Sequence, residues 1–243
     1  MKVFIGIPAT RFVATDWWVS FINWIGDMGE KFEFKWMVDA KAGRVDWSRS
    51  NLIEAAKRWK PDWFIQLDTD IIPETDFQAV IGLLNKDRAL GFDCIVSPTA
   101  SVAGVVLAKP LNPPKEGENL PYDEPWEIDW AGGGFVAMSA NALKKIAQIG
   151  SFASETGEAT PAYCEQSLQH GEDVSMFQNL REHGVRCCAD PRLKTLHMKS
   201  APIPSYRDNP IRYIIDHGDR TRLPIYTNQL KEVLNENNKS LDG

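Results

Sequence analysis

The 243-residue sequence lacks any run of lysine and arginine long enough to form a basic stripe, and its formal net charge is −6. The densest basic group is Lys57, Arg58 and Lys60, at the end of an amphipathic stretch. Cations there stabilise a helix C-terminus by opposing the helix dipole. The charge distribution therefore disfavours nucleic acid as a partner.

Long apolar runs are also absent. The apolar run that follows Lys2 ends at Pro8, too soon for the hydrophobic core of a secretion signal. No other run approaches the roughly 20 apolar residues that a membrane-spanning helix needs. We therefore expect a cytoplasmic protein with no transmembrane segment.

Cysteine is scarce, with only four residues in the chain. Their spacing matches no zinc site, so we expect reduced structural cysteines at Cys94, Cys164, Cys187 and Cys188. A chain of this length buries enough surface to fold without disulfide bonds. The sequence also shows no internal repeat and no low-complexity segment.

Short apolar runs alternate with amphipathic stretches in the first half of the chain. Strands alternating with helices predict a mainly parallel sheet covered by helices on both faces, an α/β fold. The predicted elements are, in order, strand 3–7, a helix from Thr15 or Asp16, strand 32–38, helix 48–59, strand 63–67, helix 76–90 and strand 94–97.

The second half has a different texture. Residues 99–128 are rich in proline, glycine and acids, which predicts a long surface excursion. A polar tail follows residue 200, with one weak helix near 228–235. The elements predicted between these segments are strand 133–138, a helix capped by Ser139 and running to Ile149, a polar loop 150–170, helix 172–182 closed by Gly184, and strands 185–189 and 194–198.

Two aspartates, Asp68 and Asp70, directly follow the apolar strand 63–67. Ligands of parallel sheets bind outside the carboxyl ends of the strands, where these two side chains are expected. Paired carboxylates suit Mg²⁺ or Mn²⁺, which bind through one or two carboxylates together with phosphate oxygens. The alternative is structural, with both aspartates solvating the strand end and capping the next helix.

Three further side chains are candidates for chemistry. His197 ends a short apolar strand, and a neutral imidazole is a common metal ligand, although a lone histidine is more often structural. Glu172 and Asp173 begin a helix, where acids favour the helix dipole. The same pair could act as a general base aimed at the cleft from a rigid helix end.

Several short segments, in this order, resemble glycosyltransferases with the GT-A fold, in particular family 2-like transferases that use nucleotide sugars. The resemblance covers about residues 1 to 200. The segments that carry it are Gly6-Ile7-Pro8, Val38-Asp39, Arg49-Ser50-Asn51, Leu67-Asp68-Thr69-Asp70, Trp130-Ala131-Gly132-Gly133-Gly134-Phe135-Val136 and Gly171-Glu172-Asp173-Val174-Ser175-Met176-Phe177.

The resemblance implies one Rossmann-like GT-A catalytic domain, 1–200, and a C-terminal extension, 201–243. Residues 1–98 would form the nucleotide-sugar half and 99–200 the acceptor half. The donor would be a UDP- or GDP-sugar, with Pro8 and Asp39 lining the nucleobase and ribose pocket. Arg49 would approach the diphosphate or help shape the donor pocket, and Asp68 and Asp70 would also bind the donor.

The resemblance also implies a metal-dependent hexosyltransferase. Asp70, His197 and Asp68 would hold Mn²⁺ or Mg²⁺, and Asp173, with Glu172 beside it, would be the base of an inverting transfer. The acceptor would be the hydroxyl of a glycan, a lipid or a small molecule. Its side of the cleft would be shaped by Trp130, Gly132, Gly133 and Gly134.

Three other functions compete with this interpretation. A nucleotidyltransferase would carry a glycine-rich, arginine-containing loop after the first strand, whereas Pro8-Ala9-Thr10-Arg11 has no glycine. A phosphatase that uses two aspartates would have them after its first strand, followed closely by threonine, where Ile72 stands here. A non-catalytic sugar- or nucleotide-binding module would lack the base or the metal ligands, and all the candidates are present.

Overall fold

The computed structural model describes residues 1–9, 13–26, 31–39, 44–99, 106–115, 119–153, 159–167, 170–199 and 201–203. The strands are β1 (Lys2–Pro8), β2 (Glu33–Asp39), β3 (Trp63–Leu67), β4 (Ile71–Pro73), β5 (Cys94–Val96), β6 (Ala108–Pro110), β7 (Trp126–Ala131), β8 (Phe135–Ser139), β9 (Gly150–Ala153), β10 (Ala159–Ala162), β11 (Cys187–Ala189), β12 (Thr195–Lys199) and β13 (Ala201–Ile203). The helices are α1 (Thr15–Gly26), α2 (Val45–Trp59), α3 (Phe77–Ala89), α4 (Ala140–Lys145) and α5 (Glu172–Glu182).

Eight strands form the central sheet in the order β2-β1-β3-β8-β5-β11-β7-β6. The pairings make β7 and β8 antiparallel to the other six, so the sheet is mixed and mostly parallel. β8 lies between β3 and β5 and is hydrogen-bonded to both. The strands β4, β12 and β13 form a separate small sheet, and β9 pairs with β10.

Helices cover both faces of the central sheet. The helices α2, α4 and α5 bury one core that contains Leu52, Leu143 and Phe177, and α1 and α3 bury the other, with Phe21 and Phe77. Both cores include side chains of the central strands, because successive strand residues point to opposite faces. The predicted α/β class, with a mostly parallel central sheet and helices on both faces, is therefore confirmed.

Several predicted boundaries are wrong. The helix predicted from Ser48 begins at Val45, because Ser48 is buried within the helix and bonded to Asp39. The helix predicted to reach Ile149 ends at Lys145, because the backbone of Ile146 is extended (φ −57°, ψ 123°). Gly184 closes α5 as predicted, with a left-handed φ of 70°.

The two predicted loops contain short strands. The segment 99–128 includes β6 and the start of β7, and the segment 150–170 includes β9 and β10. Directly after Asp70, the chain forms β4, which ends at Pro73. Since β4 is an edge strand of its small sheet, Pro73 costs no pairing inside a sheet. The tail helix predicted near 228–235 lies outside the described residues.

The carboxyl ends of β1, β2 and β3 lie side by side at one end of the central sheet, which is called the polar edge below. β1 and β2 end there side by side, with Pro8 paired to Asp39, and β3 ends there just before Asp68. β8 runs the opposite way, so the glycines that precede it lie at this same edge. The backbone N–H of Asp68 donates to the Gly134 carbonyl at 2.9 Å. Within the described ranges, no helix combines the length and apolar character needed to cross a membrane.

Candidate functional site

Arg49 is the centre of the polar edge. It lies on α2, its side chain is only 3% exposed, and its guanidinium faces three carboxylates. Nη2 lies 3.0 Å from Asp68 Oδ2, Nη1 lies 3.2 Å from Asp173 Oδ1, and Nε lies 3.6 Å from Glu172 Oε1. One buried cation therefore links the end of β3 to the start of α5.

The backbone carbonyl of Gly133 is a further partner of the Arg49 guanidinium. Arg49 Nη1 donates to the Gly133 carbonyl at 3.0 Å, and Gln66 Nε2 donates to the same oxygen at 3.3 Å. Gln66 is fully buried in the otherwise apolar β3, and its Oε1 has no hydrogen-bond partner. The sequence analysis did not select Gln66, although a single amide inside an apolar strand was a visible signal.

Burial and excess negative charge set the protonation behaviour of this cluster. Burial raises the pKa of Asp68 to about 7 despite the opposing attraction of Arg49, with Asp173 adding to the rise. Burial also raises the pKa of Glu172, helped by Asp173 and opposed by Arg49. Burial alone would lower the pKa of Arg49, but the surrounding carboxylates raise it. Arg49 therefore stays charged, and the acids outnumber it.

Asp70 and His197 are brought together beside this cluster. His197 pairs with Ile71 across the β12–β4 ladder, so its ring lies next to the residue that precedes β4. His197 Nε2 is 3.1 Å from Asp70 Oδ2, and His197 is 5% exposed. A hydrogen bond across 127 positions of sequence joins the two residues that the resemblance implied as metal ligands.

The donor atoms at this edge fit a hard divalent cation that arrives with its own ligands. Asp68 Oδ1 is buried and has no hydrogen-bond partner, so one carboxylate oxygen is left to bind a cation. Among the described residues, no group of three or more acids, histidines and cysteines could hold a metal ion. Mg²⁺ and similar ions commonly complete such a set with water and substrate phosphates.

Asp39 is held by α2 at the end of β2. Its Oδ1 accepts from Ser48 Oγ at 3.0 Å and its Oδ2 from Asn51 Nδ2 at 2.9 Å, and it is 7% exposed. These two partners were not selected as site residues from the sequence. Pro8 lies next to Asp39 on β1. The structure therefore places both proposed nucleobase-pocket residues at the polar edge and fixes the Asp39 carboxylate.

A groove of about 720 Å³ runs along α5, and none of Asp68, Asp70, Glu172 and Asp173 lines it. Its lining includes Trp130 on β7 and Gly171, the residue before α5. Charged side chains line it as well, with the Asp129 carboxylate paired to both Lys109, at 3.0 Å, and Arg181. Gly132, by contrast, packs against Leu107 and donates its N–H to the Leu107 carbonyl.

Gly133 is expected to tolerate no side chain. A Cβ atom there would overlap Arg49 Nη1 and Asp173 Oδ1, well inside van der Waals contact. We expect Gly133→Ala to lower the free energy of unfolding by about 1–3 kcal/mol, as overpacking does elsewhere. Urea denaturation measures the change.

The matched control is Gly82→Ala on α3, where an added Cβ has no atom within 4 Å. Alanine should stabilise that helix by up to about 1 kcal/mol. An equal change in the free energy of unfolding for both variants would contradict the close packing at Gly133.

The protein is thus an α/β protein with an acidic site at the carboxyl ends of its central strands, and this site is organised around the buried Arg49. No protein-family model matches the sequence, and no curated protein sequence matches it. The structure is similar to the crystal structure of A197 from STIV, with a TM-score of 0.59 and 20% identity, covering 91% of this chain and 98% of that one.

Two further solved structures are more distant. GalNAc-T7 with UDP, GalNAc and Mn²⁺ has a TM-score of 0.45 and 12% identity, covering 82% of this chain and 44% of that one. S. aureus TarS has a TM-score of 0.46 and 11% identity, covering 78% of this chain and 35% of that one.

Proposed function

We propose that the protein is a metal-dependent glycosyltransferase that moves a sugar from a nucleoside-diphosphate sugar to an acceptor hydroxyl. The observation that carries this proposal is the cluster of Arg49, Asp68 and Asp173. It gathers acids from the end of a central strand and from the start of a helix at the sheet edge where such folds bind ligands.

The donor would bind between Asp39 and the acids that follow β3. Asp68, through its unpartnered oxygen, and Asp70 with His197 would come together around Mn²⁺ or Mg²⁺ only once the ion arrives with the donor's phosphate oxygens, since no three such groups among the described residues form a metal site beforehand. The bound ion would supply Lewis-acid stabilisation of the negative charge on the departing diphosphate. Arg49 acts by positioning, since its guanidinium is occupied by three carboxylates and the Gly133 carbonyl.

Asp173 is proposed to take the proton from the acceptor hydroxyl in an inverting transfer. Its side chain is 27% exposed, against 14% for Glu172, so Asp173 is the more open of the two acids. Arg49 fixes one Asp173 oxygen at 3.2 Å, which orients the carboxylate. A positioned carboxylate near the attacking oxygen supplies both alignment and general-base catalysis.

The acceptor would enter through the groove beside α5. Gly171 lines the groove and immediately precedes Glu172 and Asp173 in the chain, so the acceptor would have to reach past the start of α5 to the proposed base. Trp130 offers an aromatic surface for a sugar ring, and Lys109 and Arg181 make part of the lining charged. This lining favours a glycan or a polar small molecule over a lipid.

The test is a calorimetric titration of the full chain with UDP, GDP and CDP, each with and without Mn²⁺. We expect one diphosphate to bind only with the metal, because neither the protein nor the nucleotide completes the coordination alone. Asp70→Ala should abolish this binding, and Asp123→Ala, which changes an exposed acid far from the cluster in sequence, should leave it unchanged.

Absence of binding by all three diphosphates would contradict the donor site. Binding without consumption of any nucleotide sugar, with or without an acceptor panel, would point instead to a non-catalytic module.

A further inference from the structure

The strand β2 forms one edge of the central sheet, and among the described residues no strand pairs with its outer side. β2 is seven residues long, pairs with β1 without a register shift, and contains no proline. Edge strands present unpaired N–H and C=O groups that readily accept a further strand, and proteins block them with bulges, prolines or charged side chains. β2 has no bulge and no proline, and its charged residues Glu33 and Lys35 are of opposite sign.

An apolar surface flanks this edge. Trp36 on β2 is 42% exposed and makes edge-on contacts with Trp18 and Phe21 of α1, with ring centroids 6.1 and 6.0 Å apart. Two further apolar side chains of α1, Val19 and Ile22, are 55% and 50% exposed. Exposed apolar patches beside an open strand are typical of contact surfaces.

The charges along β2 are self-complementary. We propose that two copies of this chain pair through antiparallel β2 strands, about a two-fold axis that passes between the two Phe34 residues. In that register each Glu33 lies opposite Lys35 of the partner subunit, so two ion pairs form on one face of the joined sheet. On the other face Phe32, which precedes β2, lies opposite Trp36 of the partner subunit. Cross-strand pairs of both kinds stabilise antiparallel sheets.

Neighbouring registers lose this match. In an antiparallel pair, two residues that lie directly opposite each other point to the same face of the sheet. The two-fold axis can therefore pass beside one residue or the next along β2, but not between them. An axis at Glu33 places the two glutamates against each other, and an axis at Lys35 does the same for the lysines. Like charges directly opposite are destabilising.

The face that carries Lys35 has room for the partner's glutamate. Lys35 and Arg58, whose side chain is 74% exposed, line a shallow depression of about 290 Å³ with Ala55 and Trp59. Glu33 is itself exposed (63%) and its carboxylate is 3.6 Å from Lys2 Nζ. Arg58 is also 3.8 Å from Glu54, so three cations, Lys2, Lys35 and Arg58, face two acids, Glu33 and Glu54, where the partner's Glu33 would arrive.

Light scattering and sedimentation of the full chain over a dilution series test the proposal. We expect a dimer that dissociates on dilution, with a dissociation constant raised about tenfold or more by Lys35→Glu or by Glu33→Lys, since each creates two like-charge pairs. The double variant Glu33→Lys/Lys35→Glu restores opposite pairs and should return the constant to that of the parent protein.

Lys86→Glu, a charge reversal at an exposed position of α3, is the matched control and should not change the dimer. Circular dichroism shows that each variant is folded, which is expected because the changed side chains are exposed. A chain that stays monomeric at every concentration overturns the proposal. If neither single charge reversal changes the dissociation constant, or if the double variant does not restore it, the dimer does not form through this pairing of β2.

Discussion

Asp173→Asn is expected to lower the turnover of the nucleotide sugar with its acceptor by about 10²–10⁴-fold, the usual contribution of a general base. Asparagine keeps the shape of the side chain beside Arg49, but it does not take up a proton at neutral pH. Binding of the nucleoside diphosphate with Mn²⁺ should therefore change little. Single-turnover kinetics with a saturating donor measures the chemical step apart from binding.

The matched control for this experiment is Glu172→Gln, since both acids face Arg49 from the first turn of α5. We expect a smaller loss of turnover, because Glu172 is the less exposed of the two. A large loss with Glu172→Gln and near-normal turnover with Asp173→Asn would transfer the role of base to Glu172. Near-normal turnover of both variants would leave the reaction without a base from α5.

Arg49→Met is expected to be the most destabilising single change at the site, with the free energy of unfolding lowered by about 3–5 kcal/mol. Methionine fills much of the same space, but it leaves Asp68, Glu172 and Asp173 near one another with no cation between them. Removing one partner of a buried ion pair leaves uncompensated buried charge. Urea denaturation at neutral pH measures the loss.

Arg88→Met on α3 is the control, because its side chain is 44% exposed and its ion pair with Asp93 spans 3.9 Å. Exposed pairs of this kind contribute about 0–1 kcal/mol. Adding Asp68→Asn to Arg49→Met should recover part of the stability by removing one of the three acids. Equal losses for the two arginine variants would show that Arg49 does not hold the acids together.

Much of the fold follows from local sequence patterns. The buried strands β1 and β3 and the helices α3 and α5 appear as apolar runs and amphipathic repeats, and their positions match the prediction within a residue or two. The mistakes lie where tertiary contacts outweigh local preference. One example is Ser48, which has the side chain of a helix cap but is buried inside α2 against Asp39.

The candidate site was less predictable than the fold. The acids could be selected because they follow a strand or begin a helix, and topology alone sends such positions to one edge. The role of Arg49 could not be read in this way. Its bonds to Asp68 and Gly133 span 19 and 84 residues, so only the folded chain shows that the arginine points inward to the acids. Roles assigned from the resemblance, including the nucleobase contacts of Pro8 and Asp39, stay predictions.

The position of β8 limits how such a protein can be re-engineered or can diverge. β8 comes from the second half of the chain but lies in the middle of the sheet, hydrogen-bonded to β3 and β5 of the first half. Cutting the chain near residue 98 would therefore leave β3 and β5 unpaired on one side in the first fragment. The glycine-rich segment 132–134 would remain in the second fragment, apart from Arg49. The parts of the chain before and after residue 98 therefore cannot be exchanged as independent units. If the proposed function holds, new acceptor preferences would be introduced in the connections around β6 and between α4 and α5, where changes leave the pairing of the central strands intact.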